Sequence, residues 1–229
     1  MKTWLLRQLP PAWKRAARAR LNAWQRDRKA PRMLRGYTDA TGQWRPWVRM
    51  SDTVLIQCPE RVVLEDHCFV WHYSILDGTG GLEIGEGSHI GGWVGVFTHS
   101  SHLALRIYGR HYREVPAAQR IGFRTAPVRI GRFVGIGASS LIMPGVTIGD
   151  GAAIAAGSIV QSNVAPFALV GGNPARVLGD MRRFDRRMLR EHPELIPWYQ
   201  EWQQVNGESS EGTDATADSD PGHTPAPDA

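Results

Sequence analysis

The sequence predicts an all-β solenoid, and two observations carry that prediction. From Val128 to Pro166 (VRIGRFVGIGASSLIMPGVTIGDGAAIAAGSIVQSNVAP) an aliphatic residue falls at every sixth position: Ile130, Ile136, Ile142, Ile148, Ile154 and Val160. Two residues before each stands a small or β-branched residue: Val128, Val134, Ser140, Val146, Ala152 and Ser158. No α-helix keeps one face at a period of six. In a strand, residues two apart share a face and point inward together. Glycines between the pairs supply tight turns. A fixed short repeat of this kind marks a stack of rungs, each buried against its neighbours.

The same register reads outward in order. Residues 1–50 form a basic segment and lead-in, with the stretch from residue 36 to residue 53 read as turn-rich. The repeat begins with Val62 and Leu64, then Cys68 and Val70, then Ser74 and Leu76. A two-residue insertion follows in DGTGG (77–81). The register resumes with Leu82 and Ile84, Ser88 and Ile90, and Val94 and Val96. Six hexads thus precede a break and six follow it. The repeat domain is set at 51–178, with an excursion at 97–127. That excursion holds His99, His102, Arg106, Tyr108, Arg110 and further basic residues. Long loops in compact domains are commonly binding or catalytic elements. Helical spacing over 179–206, broken at Pro193 and Pro197, predicts one or two helices closing the C-terminal end. Residues 207–229 carry six acids and no Lys or Arg, and read as a disordered acidic tail.

Charge is unevenly spread. The net charge of +5 hides a segment, residues 1–35, with eleven Lys/Arg against Asp27 alone. That segment carries Trp4, Trp13 and Trp24, and from Pro11 to Lys29 it can form a helix with a wide cationic face. Two uses are open: capping the end of the solenoid, or lying on anionic lipid with Trp at the headgroup level. No apolar run approaches the roughly 20 residues that span a bilayer. No apolar core of a secretory signal is visible either. Cys58 and Cys68 are the only cysteines. Cys68 falls on an inward position, so it reads as a buried small hydrophobe rather than half of a disulfide. A reducing cytoplasm, with contact at the inner membrane face, is the expected location.

The run IMPGVTIGDGAAIAAGSIVQSNVAPFALVGGNPARVL (142–178) resembles the hexapeptide-repeat acyltransferases, which include sugar and polysaccharide O-acetyltransferases. The resemblance implies a left-handed parallel β-helix with three hexads per coil. It also implies a homotrimer, and acetyl-CoA lying between neighbouring subunits as acyl donor. A histidine opening the excursion loop then acts as general base on a saccharide hydroxyl, which attacks the thioester directly. Imidazole suits the task because its ordinary pKa lies near neutrality. His99 and His102 are both candidates, and counting from Val96 does not choose between them. Donor contacts carried over are Ala138, Ala156, Gly157, Ser158, Gly172, Asn173 and Arg176, the arginine meeting the 3′-phosphate through its fork of donors. His72, Asp77, Arg106, Tyr108 and Arg110 are the acceptor contacts. The sequence departs from the family at several points. His72 stands where the sugar enzymes have asparagine, Gly135 replaces a tryptophan, Ala138 replaces a serine, and Gln161-Ser162 lacks the usual lysine.

Three other functions compete. An N-acetyltransferase on an amino sugar is closest. A zinc enzyme of the γ-carbonic-anhydrase type needs three converging histidines, and His67, His72 and His99 come in the wrong order for it. A non-enzymatic scaffold would not need the histidine-bearing loop. No resident metal and no nucleic-acid partner are expected.

Overall fold

A computed structural model describes residues 11–207. Trp4, Leu5, Leu6 and Leu9 of the basic segment, and the acidic tail from residue 208, lie outside the described residues. The chain divides into two units, one ending at Met181 and the other starting at Arg182.

In the first unit, short strands stack in three sheets that the chain visits in rotation. The first face stacks Trp44–Ser51, Phe69–Val70, His89–Ile90, Gly135–Ile136, Ala153–Ile154 and Ala168–Gly172. The second stacks Leu55–Gln57, Ile75–Asp77, Gly95–Val96, Leu141–Ile142 and Ile159–Val160. The third stacks Val62–Leu64, Leu82–Ile84, Val128–Ile130 and Thr147–Ile148. Pairing within each stack is parallel: Ile136 sits beside Ile154, three hexads on. Leu64 sits beside Ile84, three hexads and two residues on.

The inward pairs read from the sequence, Val62/Leu64 through Ser158/Val160, are all buried, none more than 3% exposed. Each Leu or Ile so buried contributes about 1.5–3 kcal/mol relative to exposure. Serine at an inward position needs a polar partner, because a buried unpaired hydroxyl is costly. The stack supplies one each time. Ser74 donates to the Gly91 carbonyl at 2.8 Å, Ser88 to Gly131 at 2.7 Å and Ser140 to Ala155 at 3.1 Å. Each also accepts a backbone N–H, from Val94, Val134 and Ser158 respectively. Small polar residues therefore tie rungs together without enlarging the core. Cys68 is buried, and burial pushes its thiol up to about 12, so it is inert packing. Both cysteines are free thiols.

The segment at 36–53 is more ordered than the turn-rich reading. Met33–Thr38 and Trp44–Ser51 form an antiparallel hairpin that starts the first face. Buried Asp39 holds its turn, accepting from the N–H groups of Thr41 and Gln43 and from the Arg45 guanidinium. Burial raises this carboxyl, but those bonds win and keep it below the usual carboxylate range. A second hairpin, Ala168–Gly172 with Ala175–Asp180, ends the same face. The GGNPAR motif is its turn, with a cis Asn173–Pro174 bond.

Helix α1 spans Pro11–Lys29 and α2 spans His102–Tyr108. The second unit holds α3, which begins at the boundary (Met181–Glu191), and α4 (Ile196–Gly207). Tyr199 donates to Asp185 at 3.0 Å, joining the two. No described helix is long and apolar enough to cross a membrane.

Candidate functional site

The edge between the second and third faces gathers every irregularity of the repeat. A regular step from one inward aliphatic to the next is six residues, as from Ile142 to Ile148. At this edge the step from Ile56 to Leu64 takes in a short 3-10 turn, Pro59–Arg61, and the step from Leu76 to Ile84 takes in DGTGG. The step from Val96 to Ile130 takes in the whole excursion. The insertions stack on one another: Arg61 donates to the Thr79 carbonyl at 2.8 Å. Gly78 and Gly80 allow the close approach. A Cβ on Gly80 would stand 2.5 Å from the Thr98 carbonyl oxygen.

This wrapping encloses Asp77. Its side chain is fully buried. One oxygen accepts from the N–H and hydroxyl of Thr79, an Asx-type turn. The other accepts from the Thr98 N–H at 2.8 Å and lies 2.6 Å from Nδ1 of His99. Thr98 is itself buried, its hydroxyl bonding the Asp77 carbonyl at 2.8 Å. Burial pushes the Asp77 carboxyl up. Hydrogen bonds from Thr79, Thr98 and His99 pull harder, and hold it at about 2. Asp77 is therefore ionised at neutral pH and can only accept. In the neutral ring, Nδ1 of His99 then carries the proton and leaves the lone pair on Nε2. The ring is 30% exposed and stacks on Phe123 with centroids 5.6 Å apart.

The loop is pinned where it leaves the stack. His99–Ser100 pairs antiparallel with Arg124–Thr125. Inside, Tyr108 accepts the Ile121 N–H at 3.1 Å, and Arg120 lies 4.1 Å over the Tyr112 ring. Leu105, Ile107 and Ile121 are left at 54%, 78% and 79% exposure.

The geometry separates the two histidines that the sequence left level. His99 is oriented by a buried carboxylate. His102 opens α2, exposed, with Nδ1 2.7 Å from the Ser100 hydroxyl and no carboxylate bonded to it among the described residues. Asp77 needs correcting: it is too enclosed to touch an acceptor, and it orients His99 instead. Tyr108 spends its hydroxyl on closing the loop. Arg106 and Arg110 are exposed on it. His72 belongs elsewhere. It lies in the turn between the first and second faces, with Nδ1 2.6 Å from the Ser51 hydroxyl. Thr79 and Phe123 escaped the sequence reading. Aspartate followed two residues later by threonine in DGTGG was the available signal for the first.

The expected donor contacts follow the other edge, between the first and second faces. There the repeat is regular, and successive turns are bonded: Trp93 N–H to the His72 carbonyl, Ser139 to Gly92, Gly157 to Ala138. Ala138, Ala156 and Gly157 are exposed, and a Cβ on Gly157 would meet nothing within 4 Å. This open strip of small residues fits a thin chain laid against backbone. Ser158 does not share it. Its side chain is buried and its N–H is bonded to Ser140, so it braces the core rather than lining a channel. Gly172 and Asn173 lie in the final hairpin turn beside exposed Arg176. Among the described residues no three histidine, cysteine or carboxylate side chains converge on a metal site. His67, His72 and His99 stand on three different edges.

Residues 127–162 match the family model described as bacterial transferase hexapeptide (six repeats). A chloramphenicol acetyltransferase of Agrobacterium fabrum is 33% identical over 129 residues, 55% of this chain and 54% of that protein. The galactoside O-acetyltransferase of Escherichia coli is 36% identical over 93 residues, 41% of this chain and 40% of that protein. The chain spans about half the length of the curated relatives it matches. A hexapeptide-repeat acetyltransferase from Vibrio cholerae superimposes with a TM-score of 0.50 at 28% identity, covering 58% of this chain and 69% of that one.

Proposed function

We propose that this chain, which carries the transferase hexapeptide and is related to acetyltransferases, moves acetyl from acetyl-CoA to a saccharide hydroxyl. The observation that carries the reading is the Asp77–His99 pair at the root of the excursion. His99 Nε2 takes the proton of the acceptor hydroxyl as its oxygen bonds to the thioester carbonyl carbon. The carbon–sulfur bond then breaks, the ester forms, and the proton passes from His99 to the CoA thiolate. Atoms and charge balance without a covalent enzyme intermediate. Asp77 keeps the ring in the right tautomer and stabilises the imidazolium as it forms.

The donor would lie along Ala138, Ala156 and Gly157, with Arg176 toward its 3′-phosphate. Within one chain that strip and His99 flank opposite edges of the second face, so one copy alone does not bring them together. A homotrimer in which the strip of one copy faces His99 of the next completes the site. Leu105, Ile107 and Ile121, exposed on the loop, support its burial against a neighbour. The left-handed coil and a cytoplasmic setting belong to the same reading. The free thiols of Cys58 and Cys68 accord with a reducing compartment.

A hydroxyl acceptor is favoured over an amine by the O-acetyl activity named for the galactoside relative. Thiol release from acetyl-CoA, screened against sugars and matched amino sugars, tests this. Turnover with the hydroxyl sugars is expected. Turnover confined to amino sugars would make it an N-acetyltransferase, and none with either would sink the reading.

A further inference from the structure

Helix α1 presents its apolar stripe outward. Trp13, Ala17, Leu21 and Trp24 recur at intervals of four, four and three, which puts them on one face. All four are exposed, Trp13 at 68%, Leu21 at 52% and Trp24 at 53%. In a helix of the core this stripe would be the buried one. Half a turn away, Arg15, Arg18, Asn22 and Arg26 form the opposite face, also exposed. Arg20 borders the stripe, and Arg28 ends it one turn past Trp24, its guanidinium 4.6 Å over the Trp24 ring. The acid of the helix is Asp27 alone, against seven Lys and Arg.

Three features of this face select the partner. The stripe is narrow, so it suits shallow burial rather than a packed core. Its aromatics are tryptophans, which settle between hydrocarbon and headgroup. Arg20 borders it and Arg28 ends it, and long arginine stems let the charge rise while the stem stays apolar. The helix cannot cross a bilayer. We propose that α1 lies flat on an anionic membrane surface, with Trp13, Leu21 and Trp24 sunk between acyl chains and Arg20 and Arg28 on lipid phosphates. This is independent of the catalytic reading, since α1 shares no residue with the Asp77–His99 pair.

Co-sedimentation of the full-length protein with vesicles tests it. The probe is phosphatidylglycerol mixed into phosphatidylcholine, against phosphatidylcholine alone. Binding to the anionic vesicles is expected, weakened by raised salt, with the neutral ones left unbound. The double variant Trp13→Ala/Trp24→Ala should lower partitioning roughly tenfold, and Arg20→Glu/Arg28→Glu should remove the preference for anionic lipid. All these positions are exposed, so the thermal melt should stay unchanged in both variants. Equal binding to both vesicle types, or none to either, would overturn the proposal. So would a loss of self-association in the tryptophan variant, which would show the stripe packed on a second copy.

Discussion

The two edges that flank the second face start from the same repeat and differ in every respect that matters for chemistry. One, running through Trp93, Ala138 and Gly157, keeps the six-residue step at every turn, bonds turn to turn, and ends in small exposed residues. The other, running through Cys58, Asp77 and His99, is lengthened in three successive circuits before returning to the regular step. On the regular edge the inward polar residues are small serines, whose hydroxyls are used up in bonds between rungs. Insertion makes room for a larger polar side chain. The extra residues of DGTGG close over Asp77, which points away from the core, and turn its carboxylate into a fixed partner for His99. The regular edge offers a track and the irregular edge offers a reagent.

This contrast is broken most severely at His99. The variant His99→Ala should lower kcat by roughly a thousandfold, within the range for loss of a general base. Its affinity for CoA, followed by calorimetry, should stay unchanged. His102→Ala should leave kcat within a few-fold of the parent, about the effect of losing one exposed hydrogen bond.

Next comes the partner that orients the base. Asp77→Asn should cost on the order of 10–100-fold in kcat with little change in KM, as for other residues that orient a reacting group. It should also shift the pH–rate profile, since a neutral amide no longer stabilises the imidazolium. Asp77 has a further signature in acid. Its carboxyl is held at about 2 against an ordinary 3.8, so the folded state favours the charged form. Its contribution to stability is therefore complete above the ordinary value, and is lost as pH falls toward 2. Acid titration of the fold should show a shallower loss in Asp77→Asn over that window than in the parent.

The regular edge should respond in KM instead. Ala138→Trp places a large ring on the open strip and should raise KM for acetyl-CoA about tenfold, while leaving kcat at saturation near the parent value. Arg176→Ala should raise KM for acetyl-CoA by about tenfold but leave 3′-dephospho-acetyl-CoA unaffected, if its charge meets that phosphate. Smallest of all, Ser140→Ala sharpens the structural side of the comparison. It removes a bridge between rungs and should lower stability by about 1 kcal/mol, read from the denaturation midpoint, with kinetics intact.

The core was legible in the sequence because burial in a stack of strands depends only on register. Counting in sixes from Ile130 reached Val160, the same count restarted at Ile84 and at Leu64 located the earlier rungs, and the excursion announced itself where the count failed. The hairpins at both ends of the first face were not legible. Their residues pair antiparallel outside the repeat, and a turn held by one buried side chain such as Asp39 leaves little periodic trace. In the site, the count brought His99 and His102 to the same loop but could not rank them. The ranking depends on Asp77, twenty-two residues earlier, approaching through stacking rather than through local spacing. The carry-over of Ser158 rested on its backbone groups, and stacking occupies both of them: its N–H bonds Ser140 and its carbonyl accepts from Leu141.

The central claim is that the two edges meet between copies rather than within one. Mixing tests it most directly. His99→Ala and Ala138→Trp, each impaired alone at low acetyl-CoA, are unfolded together and reassembled, with a different affinity tag on each to isolate the mixed oligomers. The account predicts that the mixed oligomers recover activity, because some interfaces then pair an intact His99 with an intact donor strip. Mixed oligomers no more active than the average of their parents would contradict it, and would place the whole site on a single chain.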